Sequence, residues 1–274
     1  MNVFFRHFSL GVGTWFESWR FIFRNGLIHY FIYPILLSIL LGMGAVALIR
    51  KGVDFVMSFV TPHLDYVAMP NSGWWERTLD VLADIGKYGI SFILWIIAWY
   101  TFQKVSKYLI LALMSPVMAL LSEKTETILT GKLYPFDGQQ LVRDIVRGIG
   151  LAIRNFFVEI FLTVILIWGL DLFLTIFIPP LGIILSPVFA LLSFFIGAYF
   201  FGFSTMDYYN ERQRLSFGES IKSVRNKKGI AIGNGTIFSL IFMIPVIGVT
   251  ISTVTCTVAA TLALNKEKES GKLA

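Results

Sequence analysis

Residues Tyr30 to Ile49 read YFIYPILLSILLGMGAVALI, twenty positions without a charge. A helix of about 20 apolar residues crosses the hydrocarbon core of a bilayer, whereas soluble helices rarely keep one face, let alone all faces, free of polar groups for so long. A buried helix of a soluble protein is the competing reading. Against it stand three further uncharged runs, Tyr88 to Gln103, Leu172 to Met206 and Ile230 to Leu264. With 56% hydrophobic residues and a mean hydropathy of +0.73, most of the chain is too apolar for water to be its only solvent. The expected class is therefore an all-α integral membrane protein. The first run is too long for the apolar stretch of a signal peptide and no small-residue cleavage site follows it, so the N-terminus is expected to stay attached.

Charge sets the orientation, because Lys and Arg are retained on the cytoplasmic side and acids count for little. Arg50 to Lys87 holds four bases against five acids, while Asp207 to Lys228 holds six bases against three acids and Lys124 to Arg154 is similarly basic. With Arg6, Arg20 and Arg24 also inside, the N-terminus is cytoplasmic, the first crossing covers 30 to 49, and residues 50 to 87 form an outer segment. A return crossing starts near residue 88, with Lys104 and Lys107 reaching to the inner interface and Trp95, Trp99 and Tyr100 at belt positions. The following LILALMSPVMALLS, carrying Pro116, is about half a bilayer long and reads as dipping into the inner leaflet.

Each of the two later runs spans 35 uncharged residues and is broken near its middle, by Pro179-Pro180 with Gly182 and by Pro245 with Gly248. Proline removes a helical donor and glycine favours a turn, so each run divides into two helices of about 17 residues joined by a bend. Basic flanks at both ends put those ends on one side, which two full crossings or a partially penetrating hairpin would both satisfy. A bend inside lipid needs shelter from protein or water, so re-entrant hairpins imply an oligomer or a cavity. Ser115-Pro116-Val117 with Ala119 to Ser122 recurs as Ser186-Pro187-Val188 with Ala190 to Ser193, seven of eight positions agreeing. Such repeats mark duplicated pore elements in transporters, and also arise by chance in an apolar alphabet. Between the second crossing and the hairpins, Gly138 to Asn155 reads as an amphipathic interfacial helix, with Leu141, Ile145, Ile149 and Ile153 on one face and Arg143, Arg147 and Arg154 on another.

Material for catalysis is scarce. His7, His29 and His63 are isolated and fit no metal-ligand spacing, and Cys256 is the only cysteine, so neither a disulfide framework nor a thiolate metal site is expected. Gly229, Gly233 and Gly235 lack the ending of a phosphate loop and are read as helix-packing glycines. No catalytic residue, metal or cofactor is expected. The net charge of +6 suits loops that face anionic headgroups, with the lipid bilayer rather than nucleic acid as partner. Asp171, flanked by ILIWGL and LFLTIF, is the clearest intramembrane ionisable residue; it lines a pore, couples to protons, or pairs structurally with a base such as Arg154. Glu123-Lys124-x-Glu126 reads as a polar helix exit that pairs locally. Arg24 to His29 precedes the first crossing, where free backbone N–H groups with Arg24 or a protonated His29 would make an oxyanion site; basic residues there also satisfy the orientation rule with no ligand.

Several segments together resemble the CysZ-type sulfate permease family and the etoposide-induced membrane proteins that share its domain. They are Gly26-Leu27 before Tyr33-Pro34, Ser115-Pro116 leading to Leu121 through Glu126, Gly197-Ala198-Tyr199 through Met206-Asp207-Tyr208, Phe217-Gly218 with Lys222 and Arg225, and Ile244-Pro245-Val246 running to Thr261-Leu262. The resemblance covers roughly residues 10 to 264, and the ordered set rather than any one motif carries it. It implies a bacterial inner-membrane protein with two long transmembrane helices, hairpins that penetrate part of the bilayer, assembly into a homo-oligomer, and channel-like sulfate uptake that feeds cysteine synthesis. The family has Arg directly after Gly-Leu, where this chain has Ile28 and then His29.

The expectation is thus one membrane domain over 1–274, with a cytoplasmic segment at 1–29, a membrane core at 30–264 and a polar tail at 265–274. Its function is that of a permease for a small inorganic anion, sulfate first. Substrate-binding candidates are Arg24, Gly26, Leu27 and His29; pore or coupling candidates are Asp171, Ser115, Pro116, Ser186 and Pro187. A non-transporting membrane scaffold of the same fold is the alternative, and an enzyme acting on lipid comes third.

Overall fold

The computed structural model describes residues 3–64, 73–133, 138–244 and 247–270, and every regular element among them is helical. The chain divides into two compact units, Met1–Ser38 with Tyr108–Ala274, and Ile39–Lys107. In chain order the helices are α1 (Val3–Arg24), a 3-10 turn (Leu27–Phe31), α2 (Ile32–Leu64), α3 (Trp74–Thr130), α4 (Gly138–Ile160), a π-helical stretch (Phe161–Trp168), α5 (Gly169–Phe177), α6 (Pro179–Arg212), α7 (Phe217–Asn226), α8 (Lys228–Phe242) and α9 (Ile247–Ser270). Among the described residues six helical segments are long and apolar enough to cross a membrane.

Within the smaller unit most described apolar side chains are exposed, from Leu40, Met43 and Leu48 on α2 to Phe92, Ile96 and Ile97 on α3. Among its described apolar residues a narrow stripe on α2, Ala45, Ile49 and Val53 at i, i+4 and i+8, is buried. Such contiguous apolar exposure is incompatible with water as solvent and is what lipid accepts. The segment 50 to 87, expected as an outer loop, is helical at 50–64 and 74–87. No helix breaker interrupts those stretches before Pro62, and Arg50 lies 4.0 Å from Asp54 one turn on, so charges that end an apolar run do not end the helix. The side chains of His63, Tyr100, Lys104 and Lys107 lie outside the described residues.

The larger unit is built around α8, which packs against α1, α6 and α9. Glycine makes those approaches close. A Cβ on Gly11 would stand 2.6 Å from the Ile230 carbonyl oxygen, and one on Gly229 would stand 2.5 Å from that of Phe4. On the other side Gly202 of α6 lies against the Ala231 carbonyl, and Gly235 of α8 against the Ala198 carbonyl, each closer than any Cβ tolerates. Small residues replacing a hydrophobic driving force is how helices associate in lipid, so the packing role read for Gly229, Gly233 and Gly235 holds. α1 presents its own small stripe, His7, Gly11, Thr14, Ser18 and Ile22, inward. Around these contacts Phe203, Met206, Ile230, Ala260 and Leu264 form one core cluster, and Phe201, Phe238 and Cys256 another.

α9 is apolar enough to span, yet 89% of its apolar window is buried, against 6% for Val146–Phe177. Its hydroxyls are satisfied within the helix: Thr253, Thr255, Thr257 and Thr261 each donate to the carbonyl four residues back, at 2.6 to 3.0 Å. The stretch expected to dip into the inner leaflet forms the end of α3, with Tyr108, Leu111, Met118 and Leu121 buried in the larger unit. α4 runs through the π-helical stretch into α5 without a break, so the amphipathic helix and the first arm of the hairpin are continuous. The hairpin bend falls at Pro179-Pro180, where Ile178 leaves helical geometry at φ −138° and the two prolines occupy the first positions of α6. Gly182 there lies against Thr175 of α5. At 34 residues α6 is twice the length expected from its uncharged half, about 51 Å at 1.5 Å per residue, because it continues through the polar segment to Arg212. The second break lies between Phe242 and Ile247; Pro245 itself falls outside the described residues.

α7 starts at a capping box in which Ser216 and Glu219 exchange side-chain and backbone hydrogen bonds. Those bonds hold the Glu219 carboxyl below its usual range. At the next junction, burial lowers the Lys227 ammonium from its ordinary value, with Glu267 opposing the shift.

Candidate functional site

α1 ends at Arg24, Asn25 Nδ2 donates back to the Phe21 carbonyl at 2.8 Å, and Gly26 turns the chain with φ +68°. A left-handed residue closing a helix is a position where glycine carries no Cβ penalty. Leu27, 2% exposed, anchors the turn in the core. His29 is exposed, its Nδ1 3.0 Å from the Gly26 carbonyl oxygen.

Beside that turn lies an open cavity of about 790 Å³ between α1, the end of α3 and the end of α9. Arg20 and Arg24 line it from α1, Asn25 from the turn that follows, Ile128 and Leu129 from α3, Leu262 and Lys266 from α9. Lys266 meets Glu17 at 2.6 Å. Arg20 and Arg24, one helical turn apart and exposed, have no ion-pair or hydrogen-bond partner for their side chains among the described residues. Three cations against one carboxylate give the cavity a positive field suited to an anion. Of the four substrate-binding candidates Arg24 lines this cavity; Gly26 and Leu27 shape the adjoining turn, and His29 does not line it. Arg20 was legible in sequence as the i−4 neighbour of Arg24. Lys266 was not, since α9 brings it there from the far end of the chain.

A second polar centre is buried. Arg147 of α4 grips Asp207 of α6 with both terminal nitrogens, at 2.8 and 3.4 Å, and reaches Glu211 at 4.0 Å. Ser220 of α7 donates to the same Asp207 carboxylate, and Asn210 donates to Ser220 at 3.0 Å. Arg212 meets Glu123 at 3.3 Å, and Gln213 donates to Glu126 at 2.8 Å. The Glu123 and Glu126 pair expected to bond locally is therefore held by the end of α6, about ninety residues away in sequence. α4 is amphipathic as read, and its apolar stripe is the exposed one. Val142, Val146, Ile149, Ile153 and Phe157 form a stripe 41% to 66% exposed, while Arg147, Leu151, Ala152 and Asn155 turn inward. The side chains of Leu141 and Ile145 lie outside the described residues.

Ser115 is buried on α3 against Gly148, and with Asn155, Ser204, Asp207 and Tyr208 it borders a cavity of about 20 Å³, room for one water. Pro116 beside it is half-buried inside α3. Asp171 is half-buried and accepts a hydrogen bond from Ser186 at 2.7 Å across the hairpin; Arg154 instead bonds Asn155 and lies over the Phe203 ring. Pro187 is exposed on α6. The two copies of the Ser-Pro-Val element thus meet different surroundings, one in the core and one in the hairpin. His7 pairs with Glu267 at 2.9 Å. Among the described residues no three His, Cys, Asp or Glu side chains gather as a metal site.

Ser186→Ala removes the hydrogen bond to Asp171 and leaves a carboxylate short of a partner in an apolar hairpin. A loss of about 1 to 3 kcal/mol is expected, read as a lower unfolding midpoint in detergent, with Asp171→Asn/Ser186→Ala recovering part of it.

Helices sheathed in exposed apolar side chains around buried polar contacts define a multi-pass, all-helical membrane protein. The family model described as "Sulfate transporter CysZ/Etoposide-induced protein 2.4" matches residues 14–251, and the chain belongs to that family. Relatives named "Sulfate transporter CysZ" include one from Pectobacterium atrosepticum, 23% identical over 89% of this chain and 81% of its own. Another, from Pseudomonas aeruginosa, is 24% identical over 84% and 85%, and one from Vibrio parahaemolyticus is 28% identical over 64% and 68%.

Proposed function

We propose that the protein is a bacterial inner-membrane permease, channel-like in action, for a small oxyanion with sulfate as the leading substrate. The observation that carries this reading is the unpartnered Arg20 and Arg24 pair facing an open, positively charged cavity at the turn before α2. Family membership supports it, and the names of the relatives supply the ion. Guanidinium groups suit a tetrahedral oxyanion because their planar donors bond two oxygens at once. Ile28 stands where the family has its arginine, and the exposed His29 next to it, at the turn beside the cavity, is assigned to the approach of the anion rather than to the cavity wall.

The N-terminus is assigned to the cytoplasm, and the whole chain to one membrane domain. A homo-oligomer is assigned on the resemblance to the family, with the exposed apolar face of α5, Leu172, Phe173, Ile176 and Phe177, open to lipid or to a second copy. Ser115, bordering the water-sized cavity, is assigned to the polar wall of the path with Pro116, and Asp171 with Ser186 and Pro187 to shaping the hairpin.

Labelled sulfate uptake into proteoliposomes tests this. Uptake should exceed that of empty liposomes, and Arg24→Ala/His29→Ala should lower it at least about tenfold, the loss of charge-assisted hydrogen bonds worth about 1.5 kcal/mol or more. No uptake by folded protein would overturn the permease reading. Equal uptake by both proteins would keep transport and remove the site.

A further inference from the structure

The cavity beside Arg24 has a second chemistry. A site for a small hydrated ion alone needs donors; this one has an extended apolar wall as well, from Phe16, Ile128, Leu129 and Leu262. Its volume of about 790 Å³ far exceeds a tetrahedral oxyanion and lies in the upper part of the range of sites that hold drug-sized molecules. The outer face of α1 continues the pattern: Phe5, Phe16 and Phe23 are 58% to 64% exposed and alternate with exposed Arg6, Arg20 and Arg24. A helix that interleaves exposed aromatic and cationic residues is matched to a headgroup boundary, where rings sit among acyl carbons and cations meet phosphate.

We propose that this cavity binds an anionic phospholipid, its phosphate held by Arg20 and Arg24 and an acyl chain lying along Phe16, Ile128, Leu129 and Leu262. Arg6 at the other end of the helix is engaged by Glu267 at 3.2 Å, and Lys266 by Glu17, so the two unpaired arginines are the ones that select charge. Burial of the acyl chain adds an apolar contribution that inorganic anions lack. A bound lipid would join α1, α3 and α9 at a point where the protein itself leaves a gap. Lipid phosphate and free oxyanion would compete for the same two arginines, and the inference stands on the apolar lining of the cavity and not on transport.

The test is equilibrium binding of a fluorescent phosphatidylglycerol to the purified, delipidated full-length protein in a nonionic detergent, with a phosphatidylcholine carrying the same fluorophore as comparison. Phosphatidylglycerol should bind saturably and at least about tenfold more tightly, the expected order for two arginines at a headgroup. Arg20→Gln/Arg24→Gln should erase that preference, and Arg20→Lys/Arg24→Lys should keep most of it, which separates charge from fold. Leu262→Asn should weaken both lipids together. Equal binding of the two lipids, or a preference untouched by the glutamine variant, would overturn the proposal. Full displacement of the probe by millimolar inorganic sulfate or phosphate would also overturn it, identifying a site for the free ion instead. Sulfate uptake by the same variants reconstituted into proteoliposomes reports separately on transport.

Discussion

Gly235→Ala, one methyl group, should cost the protein more than about 3 kcal/mol, and Gly235→Leu should prevent accumulation of folded protein in the membrane. The added carbon has only backbone to meet: the Ala198 carbonyl and, at 2.8 Å, the amide nitrogen of Gly202. A flexible side chain could swing aside, but two helix backbones cannot yield locally. α6 and α8 must therefore separate along their length, and the stacked rings of Phe201 and Phe238, 4.2 Å apart, separate with them. Overpacking of a core ordinarily costs about 1 to 3 kcal/mol, and a backbone clash on both helices lies at or above the top of that range. Gly13→Ala is the control. Gly13 sits in α1 with nothing within 4 Å of its would-be Cβ, so alanine there should raise stability by about 0.5 to 1 kcal/mol through helix propensity alone. Unfolding midpoints in one detergent give both numbers; similar shifts at the two positions would refute the close approach of α6 and α8.

The same contact shows which features were readable in sequence. Glycines at 229, 233 and 235 in an apolar run announce close packing, though not which helices approach. Pro179-Pro180 announces its bend because two prolines in succession suit a helix start and nothing else in that run. Lengths were misread wherever charge was taken as the end of a helix, since Arg50 and Asp54, or Asp207 through Arg212, pair while the backbone continues. Hydropathy also failed to separate α9 from the lipid-facing helices. Its threonines, alanines and small residues, which allow close approach on every side, hold the information that mean hydropathy averages away. Arg24 was found as a local pattern; the cavity it lines needs Lys266 and Leu262, which only the tertiary fold supplies.

The amphipathic α4 was legible as two faces, and its inward arginine gives the second large effect. Arg147→Met should lose about 3 kcal/mol, because Asp207, with a side chain 6% exposed, keeps its charge and loses a bidentate cation. Asp207→Asn should lose a similar amount by leaving Arg147 with only the more distant Glu211, while preserving a partner for Ser220. Arg147→Met/Asp207→Asn removes both charges together, and burying a neutral pair carries no Born penalty. The double variant should therefore be more stable than either single one, with a coupling of about 2 kcal/mol or more between the sites. Losses that simply add would show that the two side chains act independently and that α4 is held to α6 by apolar contacts alone. The double variant also separates structure from transport. If Arg147 and Asp207 serve only to lock α4 onto α6 and α7, sulfate uptake should follow the stability of each variant; uptake abolished in a stable double variant would place the pair on the path of the ion.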